Sequence, residues 1–447
     1  MGTRLFGTDG VRGIANAHLS PELTFKLGEA AGHFLGDRGA GRIVVGRDTR
    51  RSGQMLEAAL VAGITAGGGD ALLCGVIPTP GVAHLVRELG ADGGVVISAS
   101  HNPPEYNGIK LFSREGLKLP DELEDEIEAF CFGERDWQRP VGSRVGSVEH
   151  IEDALERYIG HAVSTVECGL SGLRIAVDCG HGAAAISTPE ALRRLGAEVV
   201  AINCEYDGMD INVGCGSTNL DPLGELVRAG GFAMGLAHDG DADRVLMVDE
   251  RGVPVDGDQI MAVCAVHMAR AGRLAGNTVV STVMANLGFE VAMREAGIQV
   301  VKTKVGDRYV LEQMQAMEAN LGGEQSGHII FLDHNTTGDG LVTALQFACM
   351  ARTDGRSVSE LVSVMTHYPQ VLENVHVEDR SRLATSVALG EAIHAAEAEL
   401  GDSGRVLVRA SGTEPLVRVM VEAAEQLRAQ EVADRLVAVV EAELNQA

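Results

Sequence analysis

The sequence predicts an α/β protein in which three successive α/β units precede a smaller α+β domain. The chain has 447 residues, which is too long for a single hydrophobic core. It contains 56 glycines and only 4% aromatic residues, a composition that suits many tight turns between strands and helices. A strand–loop–helix pattern also occurs three times along the chain. The predicted domains are 1–155, 156–255, 256–370 and 371–447.

Each α/β unit begins with an apolar strand, a polar or glycine-rich loop and a helical pattern. The opening stretches are "RIVVGRDTRRSG" from Arg42, "RIAVDCGHGAAA" from Arg174 and "NTVVSTVMANLG" from Asn277. A second strand and a third strand-like segment follow in each unit, the third segments being "GGVVISAS", "FAMGLAHD" and "LGGEQSGHIIF". The last part of the chain has a different order of predicted elements from the α/β units. It contains a strand (Glu373–Glu378), a helix, two strands (Gly404–Arg409 and Val417–Glu422) and a second helix. This order predicts a small α+β domain.

The net charge limits the possible binding partners, and the cysteine spacing indicates the cellular compartment. The 37 basic and 63 acidic residues produce a net charge of −26, which repels nucleic acid and anionic membrane surfaces. No segment approaches about 18 uninterrupted apolar residues, and the N-terminus lacks the apolar core of a signal peptide. The eight cysteines are scattered without a CxxC pair, which indicates a reducing cytoplasm and argues against zinc.

Polar loops follow the third strand of each α/β unit. The first is "SASHNPPEYNGIK" (98–110), in which Pro103 and Pro104 prevent the strand from continuing. The second is "HDGDADR" (238–244) and the third is "GEQSGH" (323–328). Because α/β sheets bind ligands beyond their strand ends, we expect the three loops to share an active site, with Ser100 held in the open. An ordinary surface turn is the alternative for each loop alone.

The second loop carries Asp239, Asp241 and Asp243 at alternating positions. Closely spaced carboxylates are ligands for Mg²⁺ or Ca²⁺ and repel one another unless a cation compensates them. An EF-hand is excluded because Arg244 occupies the position that requires glycine and because Val245–Val248 is predicted to be a strand. A solvated acidic turn is the alternative to a metal site.

Two basic features indicate an anionic ligand. "RASGTEPLVR" (409–418) places Arg409 and Arg418 on either side of a loop whose amides and hydroxyls suit a phosphate, although Ser-Gly-Thr is also common in hairpins. The loop residues in question are Ser411, Gly412 and Thr413. Arg47, Arg50 and Arg51 form a second basic cluster, for which ordinary ion pairing is the alternative.

Taken in order, these segments resemble the α-D-phosphohexomutase superfamily. The resemblance is carried by "FGTDGVRG" (6–13), "SASHNPPEYNGIK", "DGDADR" with "GGEQSGH" (322–328), and "RASGTEPLVRVMVE" (409–422), which span nearly the whole chain. It implies three related α/β domains with mixed sheets and a C-terminal α+β domain like the TATA-binding protein, arranged around a central cleft. It also implies interconversion of glucosamine 6-phosphate and glucosamine 1-phosphate, on the route to UDP-N-acetylglucosamine and the bacterial cell wall.

The resemblance also implies roles for individual residues. Ser100 would be the phosphorylated serine and would bind one Mg²⁺ per subunit together with Asp239, Asp241 and Asp243. Glu324 and Ser326 would contact the sugar hydroxyls. The non-reacting phosphate would be bound by Arg409, Ser411, Gly412 and Thr413, with Arg418 beside them. The polar side chains around the transferring phosphoryl group would be Arg12, His101, Lys110, Arg244 and His328.

The implied reaction needs glucosamine 1,6-bisphosphate or a similar activator and small-molecule sugar phosphates, with no nucleic acid or membrane partner. We expect a monomer or homodimer in the cytoplasm. The alternatives are a phosphoglucomutase/phosphomannomutase, a non-catalytic sugar-phosphate binding protein, or a metal-dependent phosphatase. A binding protein has no use for a serine beside three aspartates, and the four separate motifs argue against a phosphatase.

Overall fold

The computed structural model describes residues 4–7, 9–36, 41–133, 137–410 and 416–445. Within these ranges the strands form four sheets. The chain divides into two compact units, of which the first comprises Met1–Met284 and Gly297–Val364. The second comprises Ala285–Ala296 and Met365–Ala447. The described part of the chain has no helix long and apolar enough to cross a membrane.

The first sheet is mixed and has the strand order β1-β5-β4-β2-β3-β6. Its strands are β1 Val11–Ile14, β2 Arg42–Arg47, β3 Asp70–Val76, β4 Gly93–Ile97, β5 Tyr106–Ser113 and β6 Val148–His150. The accompanying helices are α1 Pro21–Phe34, α2 Gly53–Ala66, α3 Thr79–Glu88, α4 Asp121–Cys131 and α5 Ala154–Ser164. Strand β4 pairs parallel to β2 and antiparallel to β5. Every residue of β4 is buried, as expected for a central strand covered on both faces.

The second and third sheets repeat this mixed pattern. The second contains β7 Arg174–Asp178, β8 Glu198–Ile202, β9 Met234–His238, β10 Val245–Val248 and β11 Pro254–Val255, with helices α6 Ala184–Arg194 and α7 Asp221–Gly230. The third contains β12 Thr278–Thr282, β13 Gln299–Thr303, β14 Leu321–Gly323 and β15 Ile329–Phe331. The helices of this region are α8 Gly257–Arg270, α9 Leu287–Glu295, α10 Asp307–Met317, α11 Gly340–Asp354 and α12 Val358–Val362. Both sheets pair parallel strands at their centre and add an antiparallel strand.

The fourth sheet is antiparallel throughout its described strands and belongs to the second unit. It has the order β16-β18-β17, with β16 Gln370–His376, β17 Gly404–Ala410 and β18 Leu416–Ala423. Helices α13 Val387–Leu400 and α14 Gln426–Leu444 pack against it through a core of valines, leucines and alanines. The predicted α/β units with mixed sheets and the C-terminal α+β domain are therefore confirmed.

Two features of the fold were not expected from the sequence. Helix α9 lies between strands of the third sheet in the chain but belongs to the second unit, where Glu422 accepts a hydrogen bond from Leu287 N at 2.9 Å. Cys168 and Cys349 are joined by a disulfide although 181 residues separate them, whereas the sequence pattern predicted reduced cysteines. Pairing over so long a separation depends on packing and is not visible in the spacing.

Candidate active site

Ser100 lies where β4 enters the first predicted site loop. Its side chain is only 1% exposed, so the hydroxyl is buried against other groups rather than held in the open. The Oγ of Ser100 donates a hydrogen bond to Oδ2 of Asp239 at 2.6 Å. The backbone φ of Ser100 is 52°, a left-handed value that residues other than glycine rarely adopt. The surrounding contacts therefore hold this serine in a conformation that it would not prefer by itself.

Asp239, Asp241 and Asp243 form a buried carboxylate cluster directly after β9. One candidate ligand atom from each lies within 4.8 Å of the others. Asp241 Oδ1 and Asp243 Oδ1 are buried and have no hydrogen-bond partner among the described residues. Hard divalent cations prefer oxygen ligands of this kind, so the cluster fits a divalent metal. The flanking β9 and β10 are strands, in agreement with the exclusion of an EF-hand.

The buried carboxylates of the cluster repel one another, and positive charge beside them offsets this repulsion. Burial, together with Asp243 and Asp241, raises the pKa of Asp239 well above its usual value. Burial opposes ionisation of Asp243 as well, but Lys110 and His328 hold the pKa of that carboxyl well below its usual range. A divalent cation would supply positive charge beside Asp239 and would favour its ionised form.

Lys110 is the cation that bridges these carboxylates in the structure. Its Nζ lies 2.7 Å from Asp241 Oδ2 and 3.2 Å from Asp243 Oδ2. Burial by itself would lower the pKa of Lys110, but three carboxylates, Asp241 foremost, raise it well above its ordinary value. Thr79 at the start of α3 donates a hydrogen bond to the same Asp241 oxygen at 2.6 Å. Residues of the first sheet region thus hold the carboxylate cluster of the second.

The predicted imidazole and guanidinium groups lie around the same point. His101 Nδ1 is 3.3 Å from Ser100 Oγ. Burial, followed by Arg244 and Arg12, lowers the pKa of His101 to about 4, which keeps this ring neutral at pH 7. Arg244 Nε lies 3.7 Å from Asp243 Oδ1. The structure therefore brings together groups from loops that are more than 100 residues apart.

His328 connects the carboxylate cluster to the third sheet region. Its Nδ1 is 3.7 Å from Asp243 Oδ1, and its Nε2 is 3.6 Å from Asp307 Oδ2. The amide of Gly338 donates to Nε2 at 3.1 Å, so the ring faces Asp243 with its Nδ1–H. His328 is thereby fixed in orientation beside a candidate metal ligand.

The site contains a charge network that sequence reasoning missed. Lys118 Nζ lies 2.5 Å from Asp9 Oδ1 and 2.5 Å from Asp307 Oδ2. Asp9 also forms ion pairs with Arg12 and Lys110. Asp9 lies within the "FGTDGVRG" motif and Lys118 is one of only five lysines, so both signals were present in the sequence. Their pairing with Asp307 depends on packing between distant segments.

The turn between β14 and β15 carries the predicted sugar-binding side chains. Glu324 Oε1 accepts a hydrogen bond from the amide of Gly306 at 2.9 Å, which orients the carboxylate. Ser326 Oγ is buried and has no hydrogen-bond partner among the described residues. Gly327 has a φ of 89°, and a Cβ there would lie 2.3 Å from Val245 O. Only glycine allows the turn to approach β10 this closely.

In the second unit, Arg409 on β17 and Arg418 on β18 are directly opposite each other. Burial, with a contribution from Arg418, lowers the pKa of Arg409. Two planar guanidinium groups at opposite positions of neighbouring strands suit the binding of a phosphate. The predicted phosphate-loop residues Ser411, Gly412 and Thr413 lie outside the described residues.

Two arginines of the other basic cluster are used inside the protein. Arg50 is 1% exposed and its Nε lies 2.9 Å from Asp48 Oδ2. Arg47 Nε lies 3.2 Å from Glu57 Oε2. Both side chains therefore form ion pairs within the protein, which was the alternative to binding an anionic ligand.

Comparison with known proteins finds family matches in all four parts of the chain. Family models described as phosphoglucomutase/phosphomannomutase match residues 3–136 (α/β/α domain I), 156–252 (domain II), 256–368 (domain III) and 372–439 (C-terminal domain). The chain therefore belongs to the phosphoglucomutase/phosphomannomutase family of isomerases, within the α-D-phosphohexomutase superfamily. The domain limits inferred from the sequence remain predictions.

Curated relatives narrow the comparison to one branch of this family. The phosphoglucosamine mutase of Desulforamulus reducens is 52% identical over 98% of this chain and 99% of its own. That of Thermobifida fusca is 55% identical over 99% of both chains. A putative phosphomannomutase structure from Thermus thermophilus matches with a TM-score of 0.80 and 25% identity over 99% of this chain and 100% of its own. The Aspergillus fumigatus N-acetylphosphoglucosamine mutase, solved with GlcNAc-6P and magnesium, has the same fold, with a TM-score of 0.69 and 19% identity over 99% of this chain and 96% of its own.

Proposed function

We propose that this chain interconverts glucosamine 6-phosphate and glucosamine 1-phosphate through a phosphorylated Ser100 and a 1,6-bisphosphate intermediate. The observation that carries the proposal is the 2.6 Å hydrogen bond from Ser100 Oγ to Asp239 within a buried carboxylate cluster. Full-length identity of 52–55% to curated phosphoglucosamine mutases supports the choice of sugar. The product leads to UDP-N-acetylglucosamine, a precursor of peptidoglycan.

Mg²⁺ is the proposed cofactor, one per chain, with Asp239, Asp241, Asp243 and the phosphate on Ser100 as its ligands. When bound, it would neutralise charge on the transferring phosphoryl group. The buried carboxylate oxygens that lack partners among the described residues support this assignment. Lys110 and Arg244 border the same carboxylates and would stabilise the remaining negative charge.

In the first half-reaction the bond between phosphorus and Ser100 Oγ breaks and a bond to one sugar hydroxyl oxygen forms. The hydroxyl proton passes to a basic group of the site, and Ser100 Oγ takes up the displaced electron pair. The bisphosphate then turns over, and the second half-reaction returns its other phosphoryl group to Ser100. His101, Arg12 and His328 are proposed to surround this transfer. The contacts of His101 with Ser100 and of His328 with Asp243 support this proposal, as does the ion pair of Arg12 with Asp9, which also binds Lys110.

Two further groups are proposed to hold the sugar phosphate. Glu324 and Ser326 would bind the ring hydroxyls, and the buried Ser326 hydroxyl, which has no partner among the described residues, supports this role. Arg409 and Arg418, with Ser411, Gly412 and Thr413, would bind the non-reacting phosphate. Such a site would bind the phosphate equally well on O1 or on O6 of the sugar. Reorientation of the bisphosphate intermediate requires this property. We also propose that the protein acts in the cytoplasm as a monomer or homodimer.

A side-by-side assay tests the substrate assignment. Glucosamine, glucose and mannose monophosphates are each supplied with the matching 1,6-bisphosphate as activator. We expect kcat/KM for glucosamine phosphate to exceed the others by at least about 10-fold, or about 1.4 kcal/mol. A higher value for glucose or mannose phosphate would assign the chain to the other branch of its family. Binding of all three without turnover would indicate a non-catalytic protein.

A further inference from the structure

Arg50 is a fully buried arginine whose hydrogen bonds converge on the main chain of the serine loop. Its Nη2 donates to Ser100 O at 3.0 Å and to Asn102 O at 2.8 Å. Its Nη1 donates to Tyr106 O at 3.1 Å and also to Pro103 O. With the Nε–Asp48 bond, all five N–H donors of the guanidinium are used.

A second connection runs from the same ion pair to the amide of Ser100. Asp48 Oδ2 accepts a hydrogen bond from Ser98 Oγ at 2.7 Å. Ser98 Oγ in turn accepts one from the backbone amide of Ser100 at 2.9 Å. The carbonyl and the amide of Ser100 are therefore both tied to the Asp48–Arg50 pair, one directly and one through Ser98.

This arrangement explains how a non-glycine residue is held at a φ of 52°. A left-handed serine costs about 1 kcal/mol or more and persists only where neighbouring contacts over-determine it. Burying an ion pair is also costly unless its remaining donors are satisfied, and here main-chain carbonyls of the serine loop satisfy them. Lysine could not replace this set, because it has three donors on one atom rather than a planar fork.

We propose that Arg50, together with Asp48 and Ser98, is the positioning set for the phosphoryl-accepting hydroxyl. These residues act through Ser100 and do not contact the sugar. The inference rests on the proposed phosphoryl transfer at Ser100, but not on which sugar is the substrate. Without the hydrogen bonds of these residues, Ser100 Oγ would be misplaced relative to Asp239, whereas the groups that bind the substrate would keep their positions.

The test compares Arg50→Lys, Ser98→Ala and Ser98→Thr with the control Arg42→Lys. Arg42 lies at the start of β2, and its side chain donates to Leu89 O rather than to the serine loop. Steady-state kinetics yield kcat and KM, and intact-mass analysis follows phosphate transfer from glucose 1,6-bisphosphate to Ser100. We expect kcat and the phosphorylation rate to fall about 10- to 100-fold in Arg50→Lys and Ser98→Ala, with KM within about 3-fold of wild type. Ser98→Thr retains the hydroxyl and should recover most of the loss, and Arg42→Lys should match wild type.

The inference is overturned if Ser98→Ala keeps the wild-type phosphorylation rate and kcat, or if only KM changes. Should Arg50→Lys fail to fold, the Ser98→Ala and Ser98→Thr pair decides, since both keep the buried ion pair. If only the proposed sugar is wrong, the wild-type protein will accept phosphate on Ser100 but will not turn over glucosamine phosphate. In that case the phosphorylation rates of the variants still test the positioning set. A wild-type chain that never accepts phosphate on Ser100 overturns both.

Discussion

Ser100 Oγ and Asp239 Oδ2 lie 2.6 Å apart although 139 residues separate them in the chain. The contact joins the loop after β4 to the loop after β9. It places a hydroxyl that can carry a phosphoryl group directly beside carboxylates that can bind a cation. The chemistry expected of this protein depends on that juxtaposition.

Ser100→Ala should abolish phosphoryl transfer, because the hydroxyl that donates to Asp239 is lost. The Kd for glucosamine 6-phosphate, measured by titration calorimetry, should stay within about 3-fold of the wild-type value. The reason is that Arg409 and Arg418, which are proposed to bind the phosphate, are unchanged in this variant. Ser164→Ala, which removes an exposed hydroxyl bonded to His161 O, is the matched control. Near wild-type turnover in Ser100→Ala would contradict the assignment.

Freshly purified protein should carry one phosphate on a fraction of its molecules, and peptide mapping should locate it on Ser100. Ser98 is a competing hydroxyl two residues away, but it is 0% exposed and its Oγ already donates to Asp48. Intact-mass analysis before and after phosphatase treatment gives the occupancy. Phosphate found only on Ser98 would show that the wrong hydroxyl was assigned.

Removal of divalent metal with EDTA should abolish activity, and Mg²⁺ should restore it. Asp241→Asn removes one carboxylate charge from the cluster and should lower kcat/KM by more than about 30-fold, or about 2 kcal/mol. Asp354→Asn, which changes an aspartate paired with Arg356 outside the cluster, is the control. Full activity in metal-free buffer would refute the metal assignment.

Glu324→Gln should reduce the preference for glucosamine phosphate over glucose phosphate by about 5-fold or more. The amide keeps an oxygen to accept the hydrogen bond from Gly306 but removes the charge that favours a cationic amino group. The ratio of the two kcat/KM values measures this preference, with Glu312→Gln at an exposed position as control. An unchanged ratio would remove Glu324 from the determinants of specificity.

Thermal stability should decrease as the pH falls from about 6.5 towards 4, in part because of His84. Burial, followed by the nearby His161, lowers the pKa of His84 to about 4, and the two rings stack at 3.9 Å. The unfolded chain binds a proton at higher pH than the folded protein does, so protonation favours unfolding across this range. In His84→Gln the fall in Tm between about pH 7 and pH 5 should be roughly 2–4 °C smaller, whereas His150→Gln, at an exposed position, should behave like wild type. An identical fall in both variants would contradict the role of His84.

Much of the fold could be predicted because the relevant signals are local. Val245–Val248 is a strand in both the prediction and the structure, since four apolar residues after a charged turn have few alternatives. The three aspartates follow one another at alternating positions, so a tight turn alone brings their carboxylates together. The strands β16 and β18 were found within a few residues of their observed ends for the same reason.

The partners of the site residues could not be predicted in this way. The sequence marks Arg50 only as one member of a basic cluster, but in the structure its guanidinium binds the serine loop. The scarcity of lysine in the chain draws attention to Lys118, but no local pattern reveals that its partner is Asp307 in the third sheet region. The attachment of α9 to the second unit likewise depends on Glu422, which lies far along the chain.

By itself, the sequence determined the α/β repeats, the motif loops and the chemical character of each loop, because covalent spacing controls which side chains share a turn or a strand end. Only the tertiary structure decided which of those groups meet. Whether Ser100 contacts Asp239, or Arg50 binds carbonyls rather than an anion, depends on packing between segments that are 50 to 139 residues apart. Such contacts form only when several buried elements dock together, and no local pattern of residue types records them.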